Sequence, residues 1–422
     1  MTMVPIRKIL YHSGVQLGAK ALNLTFSLII TIILTRRLGV AGYGQYALIM
    51  ALIGFLTVLA NWGSQIIGTR ELSRVQKLGP VLGSLIILRL LLALISLTIG
   101  WLIINFSPWF AAIRGAALLG LLIVLTINLE TSWLCLLRSQ LKFDRQALIS
   151  IWGGIIFLVS TLVFLHWRSG LLAPLFGWLL AKISNNLLLI LSSKPLIRSP
   201  IRCQLRTMHQ LFMASWPVGA LLILFTAYDR AVDSFFIKHF WTDSQVGLYG
   251  LAYKIYSNLV LPAYFLVNSI FPTLSKKEKG SFELAFKQVV LIISLGLAFG
   301  LPLILLLSPI IIKIVAGPQF LAAAPVLRIL SLALIFAAWN HLTGFSLIAL
   351  DQQKTALKIN FLALSWNLAL NWIFIPHQGI EAAAWITVST EGLVALLSSL
   401  KLNQIKKGFK KEPQLPPLAF GE

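Results

Sequence analysis

The segment Leu82–Ile104 reads LGSLIILRLLLALISLTIGWLII and carries one ionisable side chain, Arg89. A helix of about 20 apolar residues crosses the roughly 30 Å hydrocarbon core of a bilayer. A segment in lipid must also satisfy its own backbone hydrogen bonds, and a helix does so. Leu82–Ile104 is therefore predicted to be a transmembrane helix.

Segments of this kind follow one another along the whole chain. Of the 422 residues, 58% are hydrophobic and only 11% are charged, whereas a soluble domain carries roughly 25% charged residues. We therefore predict an all-α, polytopic membrane protein with about twelve transmembrane helices. The predicted spans are Gly14–Thr35, Tyr43–Ile67, Leu82–Ile104, Ala116–Leu137, Ala147–Leu165, Leu171–Leu191, Phe212–Phe236, Val246–Phe271, Gln288–Leu307, Pro325–Leu350, Ala356–Ile375 and Gly379–Leu400.

The net charge of +22 arises from 35 Lys+Arg against 13 Asp+Glu. The basic residues lie in short clusters between apolar segments rather than along one element, so we expect no nucleic-acid partner. If the spans alternate in direction, 23 basic residues fall on the side of the amino terminus and 6 on the opposite side. The positive-inside rule then predicts that both termini are cytoplasmic.

Two short motifs recur along the chain. Gly44-Gln-Tyr-Ala47 opens the second span and Gly247-Leu-Tyr-Gly250 opens the eighth, while Gly170-x-x-Ala173 and Gly379-x-x-Ala382 open the sixth and twelfth. We predict two six-helix bundles (1–191 and 212–401), related as parallel repeats around a central cavity. A cytoplasmic amphipathic linker (192–211) would join them, and a cytoplasmic tail (402–422) would follow. The alternative is chance similarity between apolar segments.

Four segments resemble Wzx-type polysaccharide flippases of the multidrug/oligosaccharidyl-lipid/polysaccharide exporter superfamily. They are Leu34-Thr-Arg-Arg-Leu-Gly-Val-Ala-Gly-Tyr-Gly-Gln-Tyr46, Gly63-Ser-Gln-Ile-Ile-Gly-Thr-Arg-Glu-Leu72, Gly317–Leu330, and Asn367-x-x-Leu-Asn371 followed by Ile375-Pro. The resemblance implies a flippase of O-antigen or exopolysaccharide synthesis in the bacterial plasma membrane. Such a protein moves an undecaprenyl-pyrophosphate-linked oligosaccharide from the cytoplasmic to the periplasmic leaflet by alternating access. The family often has a Trp-Phe-Gln-Gly run where this chain has Trp133–Arg138, so any role of that glutamine does not transfer.

Five basic residues within the predicted spans are candidate ligands of such a pyrophosphate: Lys20, Arg89, Lys182, Arg230 and Lys254. A charge deep in a span costs roughly 2.5–3.5 kcal/mol, so each needs a partner, a wet cavity or access to the interface. Their predicted depths run from the cytoplasmic third to the outer third, which suggests a path for the headgroup. The alternatives are extension of Lys20 and Arg89 to the interface, and a structural ion network around Arg230 and Lys254.

Four acidic residues within the spans could couple transport to H⁺ or Na⁺: Glu130, Asp229, Asp233 and Glu391. A carboxyl group that loses water can change its charge state during transport. Asp229 and Asp233 share one helical stripe with Thr226 and Arg230 because these residues are three or four positions apart. Pairing with neighbouring cations is the alternative role.

Other functions are less consistent with the sequence. The chain has no Gly-x-x-x-x-Gly-Lys-[Ser/Thr] loop for ATP, and its histidines and two cysteines lack the spacing of metal ligands. We predict that it is not an enzyme and needs no cofactor or metal. A multidrug exporter of the same superfamily is the main alternative. A polytopic polymerase or glycosyltransferase is a weaker one, because the predicted outer loops are short.

Overall fold

The computed structural model describes residues 6–167, 170–227, 232–274 and 279–407, and every regular element in these ranges is helical. The helices are α1 (Ile6–Asn61), α2 (Ser64–Arg74), α3 (Leu78–Phe106), α4 (Arg114–Ser139), α5 (Phe143–Trp167), α6 (Leu172–Ser193), α7 (Leu205–Thr226), α8 (Val232–Phe240), α9 (Asp243–Leu274), α10 (Lys279–Ala316), α11 (Ala323–Ala349) and α12 (Gln353–Lys407). Short 3₁₀ turns lie at Pro108–Ile113, Lys194–Leu196 and Pro318–Phe320.

The longest helices each contain two predicted spans. α1 turns at Gly39, where φ is 68° and ψ is −175°, and α12 turns at Gly379, where φ is 61° and ψ is −138°. Glycine adopts such positive φ angles without a steric penalty, so each helix changes direction there without a loop. Nine helical segments of the described residues are long and apolar enough to cross a membrane, and α9 contains the eighth predicted span. The prediction of an all-α polytopic membrane protein is confirmed.

The chain forms two compact units. The first comprises Met1–Gly250 with Ile312–Leu321, and the second comprises Leu251–Ile311 with Ala322–Glu422. Within the first unit, α7 packs against α1, α2 and α3, so it lies with the helices that precede it. These boundaries describe compactness, whereas the predicted halves 1–191 and 212–401 describe repeats in the sequence. The two halves therefore stay a prediction.

Each unit has an apolar core of its own. In the first unit, leucines of α3 pack against Leu136 of α4 and Leu211 of α7. In the second unit, Val267 of α9, Phe282 of α10 and Leu342 of α11 lie in one buried cluster. Burial of apolar side chains in such clusters stabilises helix contacts mainly through close packing, because lipid is itself apolar.

Similar helix ends occur about 210 residues apart. Leu141 follows α4 with φ of 54°, and Asp351 follows α11 with φ of 61°. In both places the next backbone N–H reaches back five residues, from Lys142 to the Leu137 carbonyl at 2.9 Å and from Gln352 to the Leu347 carbonyl at 2.8 Å. This is the hydrogen bond of a Schellman helix end, which closes both helices without glycine. Duplication of the chain stays a prediction.

The predicted amphipathic linker is only partly helical. After the 3₁₀ turn at Lys194–Leu196, residues 197–204 are not helical, and α7 begins at Leu205. The reason is contact with α3: a Cβ atom on Gly79 would lie 2.3 Å from the Pro200 carbonyl oxygen, and one on Gly83 would lie 2.6 Å from that of Arg202. The two glycines let the linker backbone lie directly on α3, where packing replaces helical hydrogen bonds.

Candidate functional site

Arg89 lies in the middle of α3 and is 2% exposed. Its Nε donates a hydrogen bond to Asn128 Oδ1 of α4 at 2.8 Å, and its Nη2 donates one to Asn61 Oδ1 at 3.4 Å. Asn128 in turn donates to the Ala60 carbonyl at 3.4 Å. Among the described residues Arg89 has no carboxylate partner, and its guanidinium group lies inside the first unit rather than at the membrane interface.

The polar groups around Arg89 come from α4 and from the end of α1. α1 ends at Asn61, Trp62 has φ of 49°, and α2 starts after Gly63. The carboxyl end of a helix carries a partial negative charge and free carbonyl groups, which a cation stabilises. In this conformation the guanidinium group of Arg89 is buried against Asn128 and Asn61, and its predicted role as a headgroup ligand stays a prediction.

Lys182 and Glu130 form an ion pair between α6 and α4. Lys182 Nζ lies 2.8 Å from Glu130 Oε2, and Asn185 Nδ2 donates a hydrogen bond to Glu130 Oε1 at 3.0 Å. The side chain of Lys182 is 21% exposed and that of Glu130 is 11% exposed. In this conformation Lys182 and Glu130 are thus paired, and the lysine side chain is partly exposed.

The remaining candidates are spread over both units. Asp233 of α8 is buried and accepts a hydrogen bond from the Tyr249 hydroxyl of α9. Lys20 is exposed on α1, and Lys254 is half-buried on α9. Asp229 and Arg230 lie outside the described residues, so their predicted roles stay predictions.

Glu391 joins α12 to α11 within the second unit. It is buried, and Asn340 Nδ2 donates hydrogen bonds to its Oε2 at 2.5 Å and to its backbone carbonyl at 2.8 Å. One turn along α11, the hydroxyl group of Thr343 lies 2.8 Å from that of Ser398 on α12. Glu391 is therefore part of a polar contact that fixes α11 against α12.

A contact that the sequence did not predict links α1 to α9 in the first unit. A Cβ atom on Gly44 would lie 1.7 Å from the Asp243 carbonyl oxygen, and one on Gly247 would lie 2.2 Å from the Val40 carbonyl oxygen. Next to it, Gln45 Nε2 donates a hydrogen bond to Asp243 Oδ2 at 3.0 Å. Asp243 also forms an ion pair with Lys238, a residue that the charge distribution assigns to the outer side. The motifs compared as repeats thus pack directly on each other.

Sequence reasoning also missed the buried and half-buried amides. Asn61, Asn128, Asn185 and Asn340 each hydrogen-bond one of the candidate charges. The available signal was an asparagine inside a long apolar run, because an amide in lipid needs a hydrogen-bond partner. The described residues contain no cluster of three or more histidine, cysteine or acidic side chains that could hold a metal ion.

Comparison with known proteins identifies the family. Residues 6–278 match the family described as polysaccharide biosynthesis protein. The chain is 27% identical over 391 residues to the probable low-salt glycan biosynthesis flippase Agl15 of Haloferax volcanii, a match that covers 88% of this chain and 77% of the relative. It is 24% identical over 413 residues to the probable flippase AglR of the same organism, covering 93% and 83%.

Two solved structures share the fold. The lipid II flippase MurJ in an inward closed conformation superposes with a TM-score of 0.75 at 16% identity, over 93% of this chain and 87% of that one. An inward-facing multidrug resistance MATE family transporter superposes with a TM-score of 0.71 at 14% identity, over 93% and 99%. Together with the family match, these findings show that the chain belongs to the polysaccharide biosynthesis protein family and shares its fold with these two structures.

Proposed function

We propose that this protein moves an undecaprenyl-pyrophosphate-linked oligosaccharide from the cytoplasmic to the periplasmic leaflet of a bacterial plasma membrane. The observation that carries the proposal is the family match, since the relatives it resembles over most of the chain are named as flippases, one of them in glycan biosynthesis. Both termini would be cytoplasmic, as the charge distribution predicts.

The chemistry of the headgroup explains why such a protein needs cations inside the membrane. A pyrophosphate is negatively charged, and one unit charge about 4 Å away contributes roughly 4 kcal/mol at an effective dielectric constant near 20. The side chain of Lys182, which pairs with Glu130 between α6 and α4, is partly exposed. We assign headgroup contacts to Lys20, Lys182, Arg230 and Lys254, whereas the full burial of Arg89 favours a role in holding the end of α1.

We further propose that an ion gradient drives the cycle. Glu130, Asp229, Asp233 and Glu391 are the candidate acceptors of H⁺ or Na⁺, because a buried carboxylate is stabilised by either cation when its present partner leaves. Vesicles that hold the reconstituted protein and an imposed H⁺ or Na⁺ gradient test this step. Headgroup translocation that ignores both gradients would contradict it.

Transport itself is tested with the purified protein in liposomes that contain the lipid-linked oligosaccharide. A membrane-impermeant glycosidase outside the vesicles reports how much oligosaccharide is accessible. We expect accessibility to rise to completion only in vesicles with protein, whereas protein-free vesicles stay near half. Efflux of a cationic dye without movement of the oligosaccharide would instead identify a multidrug exporter.

A further inference from the structure

Glu130 occupies the position at which an anionic ligand of Lys182 would lie. Its Oε2 is 2.8 Å from Lys182 Nζ, a distance that a phosphate oxygen would also adopt. The side chain of Glu130 is 11% exposed and that of Lys182 is 21% exposed. Of the two paired side chains, Lys182 is therefore the more exposed.

The exposed edge of Lys182 differs from the apolar surface of α6. Trp178, Lys182 and Asn186 follow at four-residue intervals and are all half-buried. The strongly exposed positions of α6, in contrast, are apolar: Phe176, Leu180, Ile183, Leu187 and Leu191. The Asn186 amide donates to the Thr126 carbonyl at 2.9 Å, so the partly exposed charge on this side of α6 is that of Lys182. A charged side chain is unfavourable against lipid, so we infer that Lys182 borders a water-accessible space.

Glu130 is held more firmly than Lys182. Asn185 Nδ2 donates a hydrogen bond to Glu130 Oε1 at 3.0 Å. It is the one side-chain hydrogen bond that Asn185 makes among the described residues. The Asn185 amide lies against Gly153 of α5, where a Cβ atom would be 2.5 Å from Asn185 Oδ1. Lysine has a long, flexible side chain and can turn toward a new partner without moving its helix. The lysine can therefore leave while the carboxylate stays.

We propose that Glu130 competes with the phosphate groups of the headgroup for Lys182. This inference rests on the proposed function. In the empty protein Glu130 pairs with Lys182 and neutralises it. When a headgroup binds, the Lys182 ammonium group turns from the carboxylate to the phosphate groups. When the headgroup leaves, Lys182 pairs with Glu130 again. Competition of this kind weakens binding of the headgroup and so speeds its release, because a ligand held too tightly lowers turnover.

The decisive variant is Glu130→Gln. Glutamine has nearly the same shape and keeps a carbonyl acceptor for Asn185, but it removes the charge that competes for Lys182. Binding of inorganic pyrophosphate is measured to the full-length protein in nanodiscs of zwitterionic lipid. We expect the variant to bind pyrophosphate about tenfold more tightly than the wild type, a change within the range typical of coupled sites. Translocation of the lipid-linked oligosaccharide should become slower because release is delayed.

Matched variants locate the effect. Glu71→Gln removes a carboxylate that pairs with Arg70 at 2.9 Å on the surface, and it should leave pyrophosphate binding unchanged. In a Lys182→Gln background, Glu130→Gln should no longer tighten binding, because the contested cation is gone. If Glu130→Gln does not assemble, Glu130→Asp, which shortens the side chain by one methylene, should tighten binding to a smaller extent.

Three outcomes would overturn the competition. Unchanged or weaker pyrophosphate binding by a folded Glu130→Gln protein, when Lys182→Gln weakens it, would refute the competition and leave the proposed function standing. Tighter binding that persists in the double variant would show that Glu130 acts through another group. Absence of pyrophosphate binding by the wild type would contradict both the competition and the proposed role of Lys182.

Discussion

Arg89 is a buried cation whose described hydrogen-bond partners lie within the first unit. Its donors reach Asn128 at 2.8 Å and Asn61 at 3.4 Å, near the point where α1 ends. Buried charges are usually paired, but here two amides and the end of a helix take the place of a carboxylate among the described residues. These contacts account for the burial of the one ionisable residue in the span Leu82–Ile104.

Arg89→Met is expected to lower stability more than it lowers transport per folded molecule. The change leaves the buried Asn128 Oδ1 without its donor, at about 1–3 kcal/mol, whereas Asn61 Oδ1 still accepts from the Gln65 backbone N–H at 3.2 Å. Thermal unfolding in detergent should shift downward by several degrees, whereas Arg70→Met at the exposed end of α2 should change it little. A variant as stable as the wild type that no longer transports would instead place Arg89 among the substrate ligands.

Helix α12 depends on the conformation of a single residue. Gly379 has φ of 61°, and no loop relieves the turn between its two predicted spans. With ψ of −138° this conformation lies outside the left-handed helical region and is essentially restricted to glycine, so a residue with a Cβ atom costs roughly 1–3 kcal/mol there.

Gly379→Ala is therefore expected to lower the unfolding temperature by a few degrees. Gly296→Ala on α10 is the matched control, because a Cβ atom there would meet nothing within 4 Å and its φ is not positive. Equal unfolding temperatures of the two variants would show that α12 does not need its kink for stability.

The contact between α1 and α9 leaves no space for a side chain. The Cβ of Gly44→Ala would lie 1.7 Å from the Asp243 carbonyl oxygen, so α1 and α9 must separate to accommodate it. If both helices move during alternating access, the substitution should favour the conformation in which they are apart.

Labelling of a cysteine at the buried position Val246 measures this separation. In a Cys203→Ser background, Val246→Cys should react several-fold faster with an impermeant maleimide when Gly44→Ala is present. Gly54→Ala, also on α1, has no atom within 4 Å of its new Cβ and should leave the labelling rate unchanged. Identical rates in all three proteins would show that this contact does not open.

For the chain as a whole, the sequence predicted which segments are helical. Within the described residues the predicted apolar segments coincide with helices, because length and hydropathy act locally, and the seventh, Phe212–Phe236, also runs through residues 228–231, which lie outside the described ranges. The placement of α7 with the first unit was not predictable, since it depends on contacts between distant residues. One such contact is at Gly63, where a Cβ atom would lie 2.6 Å from the Gly219 backbone nitrogen.

The candidate site was predictable to the same limited extent. A charge in an apolar segment is visible in the sequence, so Arg89, Lys182 and Glu130 could be identified as unusual. Which of them pair was not visible, because Glu130 and Lys182 lie on different helices and nothing local encodes their distance. The contact between Gly44 and Gly247 is likewise not visible in the sequence, which shows only that their motifs are similar.

We propose that basic side chains within the membrane bind a phosphorylated headgroup while it crosses. The most direct measurement is the rate at which oligosaccharide headgroups become accessible outside liposomes that contain wild-type protein or the Lys182→Gln/Lys254→Gln variant. Arg70→Gln/Arg74→Gln, which removes two exposed cations of α2, is the control. We predict that the wild type and the control translocate the headgroup and that the intramembrane variant is slower by at least about tenfold. Equal rates in all three proteins, at equal amounts of folded protein, would show that Lys182 and Lys254 are not needed for translocation of the headgroup.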